Sequence, residues 1–292
     1  MKKWLYYTLI IFFAAIFLFS GWNIVTYYLE GQESQGQFDD LAQQMEDAKK
    51  EPQPTIYFTQ PTEPTPTTEP VDPDETTAPT EPIGDVPPPV TEPPAPVILP
   101  EYARLYLENP DMVGWIRIDD TVINYPVMQT KDNPNFYLNH NFDKKYSKRG
   151  CIYVGEECDV FAPSDNVTIY GHHMRDGSMF TILTRYARQD FLKEHPYIIF
   201  DTLLEHRTYQ IIAVFKTTAS VGEGFRYNQF VNADTPEEFQ EYVRRCKQLS
   251  LHNIDATAEY GDKLITLSTC EYSQTNGRFV VVAKLIESIP QE

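Results

Sequence analysis

Basic residues are few in this chain of 292 residues. It has 24 Lys and Arg against 42 Asp and Glu, so its formal net charge is −18. Proteins that bind nucleic acids neutralise the phosphates with clustered positive charge. The acidic balance therefore argues against a nucleic-acid partner.

Cysteine is also scarce. The four thiols belong to Cys151, Cys158, Cys246 and Cys270, and their spacing is not that of a disulfide scaffold. A Cys151–Cys158 bridge stays open, whereas Cys246 lies in a predicted helix and is expected to pack there. No Cys-x-x-Cys or His-x-x-x-His spacing occurs, so the sequence does not support a zinc site. We expect no metal and no other cofactor.

Charge is absent from residues 4–29, which are rich in Leu, Ile, Phe and Ala. About 20 apolar residues cross a bilayer, so this segment is long enough to do so. A cleaved signal peptide is the alternative, but no small-x-small cleavage site follows, and an uncleaved transmembrane anchor is favoured. Lys2 and Lys3 precede the segment. By the positive-inside rule, residues 1–3 are then a cytoplasmic tail and the chain after residue 29 is outside.

Lysine and arginine are missing from residues 51–100, which hold 16 of the 23 prolines and nine acidic residues. Such a composition buries too little apolar surface to offset conformational entropy, and proline favours extended polyproline II. We predict a polar juxtamembrane segment at residues 30–50, possessing at most a frayed helix. Residues 51–99 are predicted to be a disordered Pro/Thr/Glu-rich linker that acts as a semi-rigid spacer. Residues 100–292 suit one folded domain.

The patterns of this last domain are mostly those of β-strands. A short helix opens it near residues 101–107, and helical patterns recur near residues 180–187 and 235–249. The helical pattern at residues 235–249 has Thr235 as its N-cap and Pro236 at its first helical position. Eight or so strands favour a closed barrel, which has no exposed edges, although periodicity alone does not separate a barrel from a sandwich. The strands are predicted at residues 113–118, 122–127, 151–154, 167–170, 197–201, 209–217, 264–269 and 278–286.

The strongest chemical signal is Cys270, which ends the apolar strand pattern of residues 264–269. Arg278 follows eight residues later and opens another strand pattern. A cysteine and a guanidinium are thus held between two rigid elements. Because the thiolate is the reactive form, a catalytic cysteine needs a base or a cationic partner.

Two adjacent histidines are the candidates for that base. His172 and His173 follow Gly171 at the end of the strand pattern of residues 167–170. The glycine is expected to let the backbone turn and expose the His172 ring, but composition does not choose between the two histidines. Arg278 is either a solvated surface arginine or a group that stabilises an oxyanion.

With these motifs the chain resembles a sortase, and most closely a class B sortase. The specific matches are TLSTC at residues 266–270, the Gly171-His172 pair and Arg278. The resemblance covers about residues 100–287. It extends through NPD at residues 109–111, GWI at 114–116, NYPV at 124–127 and YLNHNF at 137–142.

The resemblance implies an eight-stranded sortase β-barrel with an N-terminal helix and a long helix before the catalytic strand. It implies that residues 100–292 are the catalytic domain, with His172, Cys270 and Arg278 as catalytic residues. The family's contacts to the sorting peptide would fall on three further positions: Leu138, Ser268 and Glu271. One departure is Cys151, where related chains usually carry a small Ser, Thr or Ala.

The implied reaction is transpeptidation outside a Gram-positive membrane. A secreted protein would be cleaved at the threonine of its C-terminal sorting motif, held as a thioester and passed to an amine of a cell-wall precursor or a pilin. Two alternatives remain at this point: an extracytoplasmic cysteine peptidase that only hydrolyses, and a non-catalytic wall-binding module. The sorting motif and the acceptor stay open.

Overall fold

The computed structural model describes residues 3–58, 95–220 and 222–290. The predicted disorder of residues 59–94 and the first two residues of the predicted tail lie outside these ranges. The described helices are α1 (Lys3–Ala48), α2 (Pro100–Glu108), α3 (Gln189–Glu194) and α4 (Pro236–Leu249). Short 3-10 helices occur at Phe136–Leu138, Phe180–Ala187 and Tyr227–Gln229.

Eight strands form one closed barrel, in the order β1-β2-β3-β4-β7-β8-β6-β5. The β2–β3 and β4–β7 pairs are parallel and the others are antiparallel. The closed barrel predicted from the strand count is confirmed, and the sandwich is excluded. The strands are β1 (Met112–Arg117), β2 (Asn124–Met128), β3 (Ile152–Val154), β4 (Asn166–Tyr170), β5 (Tyr197–Thr202), β6 (Glu205–Thr218), β7 (Leu264–Glu271) and β8 (Gly277–Pro290).

Two apolar clusters hold the barrel together. The larger one includes Trp115, Phe200 and Leu267, which come from three of the barrel strands and are almost fully buried. The smaller one lies between α4 and the outer face of β6, β7 and β8. Its members come from both sides of this interface: Phe239, Tyr242, Val243 and Cys246 from α4, and Ile212, Phe215, Leu264, Val280 and Val282 from the strands. These strands are therefore covered on both faces, which explains their continuous apolar runs.

Helix α4 begins as its sequence predicts. The Thr235 hydroxyl accepts a hydrogen bond from the Glu238 backbone N–H at 3.3 Å, and Pro236 follows in the first turn. The cap satisfies one of the amide groups that a helix start leaves without a partner. Cys246 faces the strands from this helix and is fully buried, so its predicted packing role is confirmed.

The N-terminal helix is longer than predicted. Helix α1 runs without a break from the apolar segment through the polar residues to Ala48. Phe38, Leu41, Met45 and Ala48 are buried against the folded domain. Their spacing of three to four residues is that of one helix face, a signal that the polar composition of residues 30–50 concealed.

The two ends of the proline-rich segment lie together on the domain. Tyr57 and Val97 form an isolated antiparallel bridge, and the Phe58 ring lies 4.2 Å from that of Phe161. Since α1 already contacts the barrel before this segment starts, the segment does not separate the helix from the barrel.

His206 makes a pH-sensitive contact where β6 begins. Its Nδ1 lies 3.1 Å from an Asp201 carboxylate oxygen, and its Nε2 lies 3.5 Å from Glu101. The hydrogen bond to Asp201 raises the pKa of His206 above its ordinary 6.5, against the opposing effect of partial burial. The charged imidazole therefore stabilises the folded state below about pH 6.5, and this contribution is lost as pH rises through the folded-state pKa.

We expect His206→Gln to flatten that pH dependence. The contribution is at most about 1 kcal/mol, because the side chain is partly exposed and screened by solvent. The measurement is the thermal unfolding midpoint of the detergent-solubilised chain, compared with the variant on the acid and alkaline sides of neutrality. A wild-type midpoint that rises with pH in this interval would contradict the assignment.

Candidate active site

Strands β4 and β7 bring two of the predicted residues to the same level of the barrel. They are parallel neighbours in which Tyr170 lies opposite Ser268, and the Gly171 N–H donates to the Ser268 carbonyl at 3.1 Å. His172 is two residues beyond Tyr170, and Cys270 is two residues beyond Ser268. Neighbouring strands are about 4.8 Å apart, so this register brings the segment that follows β4, with His172, to the level of Cys270 at the end of β7.

Strand β8 adds the third residue. It is antiparallel to β7, and Cys270 lies directly opposite Arg278. Side chains of directly opposed residues point to the same face of a sheet. Cys270 and Arg278 therefore share one face, and His172, two residues beyond the end of β4, lies at the same end of the barrel. We call these three residues the row.

Cys270 is the accessible thiol of this chain. All four cysteines are free, but Cys270 is half-buried whereas the other three are buried. The Cys151–Cys158 bridge that the sequence left open is thus not formed. Burial raises the pKa of Cys246 to about 12 and also raises the pKa values of Cys151 and Cys158. These three thiols remain protonated near neutral pH.

The two histidines differ in their hydrogen bonds. His172 Nε2 lies 2.8 Å from the Leu138 carbonyl oxygen, and His173 Nδ1 lies 2.8 Å from the Cys270 carbonyl oxygen. A carbonyl only accepts, so each of these nitrogens carries a hydrogen. His172 Nδ1 is left to exchange a proton, whereas His173 is tied to the backbone of the cysteine. This geometry favours His172 as the acid and base.

The role of glycine at position 171 is close packing, and not the turn that the sequence suggested. Gly171 is not among the residues with positive φ. A Cβ at this position would lie 2.6 Å from Ile152 Cδ1 and from Phe180 Cγ. The glycine therefore lets β4 end in close contact with these two side chains, and this contact sets the position of His172.

We expect Gly171→Ala to lower kcat/KM of the predicted acyl-transfer reaction by about 10²-fold, because a small displacement of a catalytic group is costly. Overpacking should also destabilise the fold by about 1–3 kcal/mol. The matched control is Gly36→Ala, since a Cβ on Gly36 meets nothing within 4 Å. Equal activities of the two variants would contradict the assigned role of Gly171.

The Arg278 guanidinium has no carboxylate partner among the described residues. Its Nη1 donates to the Gly277 carbonyl at 3.0 Å and to the Asn276 carbonyl at 3.3 Å. These bonds to its own turn orient the guanidinium. The remaining donors are available to a developing oxyanion or to a peptide carbonyl.

Two tyrosines that the sequence analysis did not identify, Tyr153 and Tyr227, lie near the row. Burial raises the pKa of Tyr153 to about 12, against the opposing effect of the Arg278 guanidinium. Burial also raises the pKa of Tyr227, again against the effect of Arg278. The Tyr227 hydroxyl lies 2.7 Å from the Ser268 hydroxyl.

The three predicted peptide contacts lie in different environments. Leu138 is half-buried and its carbonyl holds His172, whereas Ser268 is buried under Tyr227. Glu271 follows Cys270 in β7, so its side chain points to the opposite face. Its carboxylate lies 3.0 Å from Lys216 Nζ and accepts from Ser273. Despite the opposing effect of burial, these bonds lower the pKa of Glu271.

Within residues 3–58, 95–220 and 222–290, no group of three or more His, Cys, Asp or Glu side chains is arranged to hold a metal ion.

The comparisons with known proteins agree with this geometry. Residues 116–286 match the sortase domain family. The chain is 34% identical over 192 residues to sortase B of Staphylococcus aureus, covering 65% of this chain and 76% of that protein. It is 36% identical over 182 residues to sortase B of Listeria monocytogenes, covering 61% and 71%.

Solved structures give the same result. A Staphylococcus aureus sortase B–substrate complex superposes with a TM-score of 0.60 at 33% identity, covering 65% of this chain and 86% of that one. Clostridium perfringens sortase B superposes with a TM-score of 0.57 at 31% identity, covering 63% and 98%. With the closed barrel and a partly exposed cysteine at its end, these matches show that the chain belongs to the sortase family, as a class B sortase and hence a cysteine transpeptidase.

Proposed function

We propose that this enzyme cleaves secreted proteins at the threonine of a C-terminal sorting motif and transfers them to an amine. His172, Cys270 and Arg278 are its catalytic residues. The observation that carries the proposal is the register of β4, β7 and β8, which sets Cys270 opposite Arg278 and brings the segment with His172 to the same end of the barrel. The substrate complex of Staphylococcus aureus sortase B supports a protein substrate in general.

The first half-reaction forms a thioester. The Cys270 thiolate attacks the threonine carbonyl carbon, and the C=O electron pair moves to the oxygen. When the tetrahedral intermediate collapses, the C–N bond breaks and the leaving amine takes a proton from His172 Nδ1. The hydrogen bond from Nε2 to the Leu138 carbonyl supports this assignment, because it holds the ring with Nδ1 available.

The second half-reaction returns the enzyme to its starting state. An amine attacks the thioester carbonyl and gives its proton to neutral His172. The C–S bond then breaks, an amide forms and the Cys270 thiolate is released. Arg278 donates to the oxyanion in both tetrahedral intermediates, which is the step where a fixed positive charge is most effective.

The peptide contacts are proposed at Leu138, Ser268 and Glu271. Leu138 has the strongest geometric support, since its backbone already contacts His172 and its side chain is half-buried. Ser268 acts from beneath the row, through its bond with Tyr227. Contact by the Glu271 carboxylate requires the peptide to compete with Lys216 and Ser273.

We place the enzyme in the cell membrane of a Gram-positive bacterium as a single-pass protein. Helix α1 is long and apolar enough to cross a membrane, with a mean hydropathy of 2.1 in its most apolar window. Residues 4–29 form the anchor and residues 1–3 are cytoplasmic, since two lysines precede the span. The catalytic domain of residues 100–292 is outside, with the linker of residues 51–99 before it. The acceptor is an amine of a cell-wall precursor or a pilin lysine.

A library of sorting peptides tests the proposal. Mass spectrometry should detect a Cys270 acyl-enzyme after incubation with a cleavable peptide. Addition of an amine should convert that intermediate into an amide product and increase its turnover. Hydrolysis that no amine accelerates would instead identify a cysteine peptidase.

A further inference from the structure

Helix α1 runs along the barrel in its C-terminal half. Its side chains are exposed through residues 3–25, and contact with the domain starts at residues 26 and 27. The Tyr27 ring lies 5.5 Å from the Arg149 guanidinium, and Lys148 forms an ion pair with Glu30 at 3.0 Å. The domain therefore meets the helix where the apolar segment ends.

These contacts continue along the helix. A Cβ on Gly31 would overlap the Arg149 guanidinium, so helix and domain approach closely there. The Phe38 ring packs against the edge of Tyr125 with 5.0 Å between centroids. Arg149 is itself buried and paired with Asp176 at 2.5 Å. Such a series of contacts holds the domain at one height along α1.

The catalytic end of the barrel is the end nearest the apolar segment. A cavity of about 460 Å³ separates α1, at Asn23, Ile24 and Tyr27, from the residues around Cys270. On the other side of this cavity lie four side chains, which we call the α1-facing rim: His173, Met174, Arg175 and Tyr272. At the far end of α1, Lys49 lies close enough to His206 to oppose its protonation.

Helix geometry gives the depth of this rim. Residues 4–29 are about 39 Å long as a helix at 1.5 Å per residue, whereas the hydrocarbon core of a bilayer is about 30 Å thick. If the segment starts at the inner boundary of that core, its last six or so residues lie in the outer headgroup layer. Ile24 and Tyr27 are at this level and Asn23 is at its inner boundary, so the rim that faces them lies there too.

The exposed chemistry of the rim suits that layer. Tyr272 is 73% exposed, and its ring is held 5.0 Å from the His173 ring. Arg175 is exposed and has no carboxylate partner within the described ranges. Tyrosine is typical of membrane interfaces, and arginine binds phosphate through paired N–H donors.

We propose that the α1-facing rim is a lipid-contacting surface and that phospholipid headgroups fill the cavity between it and α1. This inference rests on the membrane anchor of the proposed function. Cys270 then opens into the headgroup layer of the outer leaflet. Because both ends of the proline-rich segment are joined at Tyr57 and Val97, that segment does not lift the domain away from the bilayer.

Site-specific photo-crosslinking in the full chain tests this surface. A photoreactive phenylalanine analogue replaces one of three residues in protein reconstituted into vesicles of phosphatidylcholine and phosphatidylglycerol. Tyr272 is the test position and Phe17, in the apolar segment, is the positive control. Tyr260 is the negative control: it is 48% exposed, precedes β7, and lies about 20 Å or more along that strand from Cys270.

We expect lipid adducts at positions 17 and 272, with a yield at 272 at least about tenfold above that at 260, because only the first two reach lipid depth. Arg175→Glu should lower the yield at 272 severalfold in these anionic vesicles. Adducts at 17 but not at 272, or equal yields at 272 and 260, would overturn the surface and leave the anchor intact. No adduct at 17 would overturn both. Formation of the Cys270 acyl-enzyme by the same samples reports on the proposed chemistry separately.

Discussion

Cys270→Ala is expected to abolish acyl transfer, lowering kcat/KM by about 10⁴-fold or more. Loss of a covalent nucleophile removes the whole two-step route and not one interaction within it. The fold should be retained, because the side chain is half-buried at a strand end and the change removes a single sulfur. Peptide cleavage, amine-dependent product and acyl-enzyme mass together measure the effect.

Cys151→Ala is the matched control for this variant. Cys151 is a buried thiol whose pKa is raised by burial, so it stays protonated and is not expected to react. The control should keep activity within about threefold and lose at most a few kcal/mol of stability from the small cavity. Acyl-enzyme formation that persists in Cys270→Ala and disappears in Cys151→Ala would refute the assignment.

His172→Ala is expected to lower kcat/KM by about 10²–10⁴-fold, the usual contribution of a general acid and base. The reason is the free Nδ1 beside Cys270, which the Nε2 bond to the Leu138 carbonyl leaves available. Both half-reactions should slow, since the same nitrogen donates a proton in one and accepts it in the other. Single-turnover acylation and amine-dependent deacylation are the measurements.

His173→Ala is the control for this prediction, because it tests the adjacent histidine. The His173 ring donates to the Cys270 carbonyl and stacks near Tyr272, so it supports the backbone and not the reacting atoms. We expect a loss of about tenfold or less, as for a hydrogen bond worth about 1 kcal/mol. A larger loss in His173→Ala than in His172→Ala would reverse the two roles.

Much of the barrel was predictable because its strands have strong local patterns. The apolar runs at β7 and β8 and the capped start of α4 at Thr235 all appear where predicted. The strand order was not predictable from patterns, because parallel pairs such as β4–β7 join segments that are about 100 residues apart. That pairing brings the segment with His172 to the end of the barrel that holds Cys270.

The sequence predicted local roles least well where the role of a residue depends on a distant contact. Gly171 was expected to allow a turn, but the structure shows close packing on Ile152 and Phe180. The polar residues after the apolar segment concealed the buried face of α1 that includes Phe38 and Leu41. In both cases the deciding partner is distant in the sequence, so no local pattern reveals it.

The sequence by itself determined the parts that depend on composition and short motifs. These are the apolar N-terminal segment, the strand-rich domain and the candidate residues His172, Cys270 and Arg278. The tertiary structure decided what depends on contacts between distant segments: the closed barrel, the row across β4, β7 and β8, and the docking of α1 beside the catalytic end. The physical reason is that local propensity acts over a few residues, whereas register and packing are settled only when whole elements bury their surfaces together.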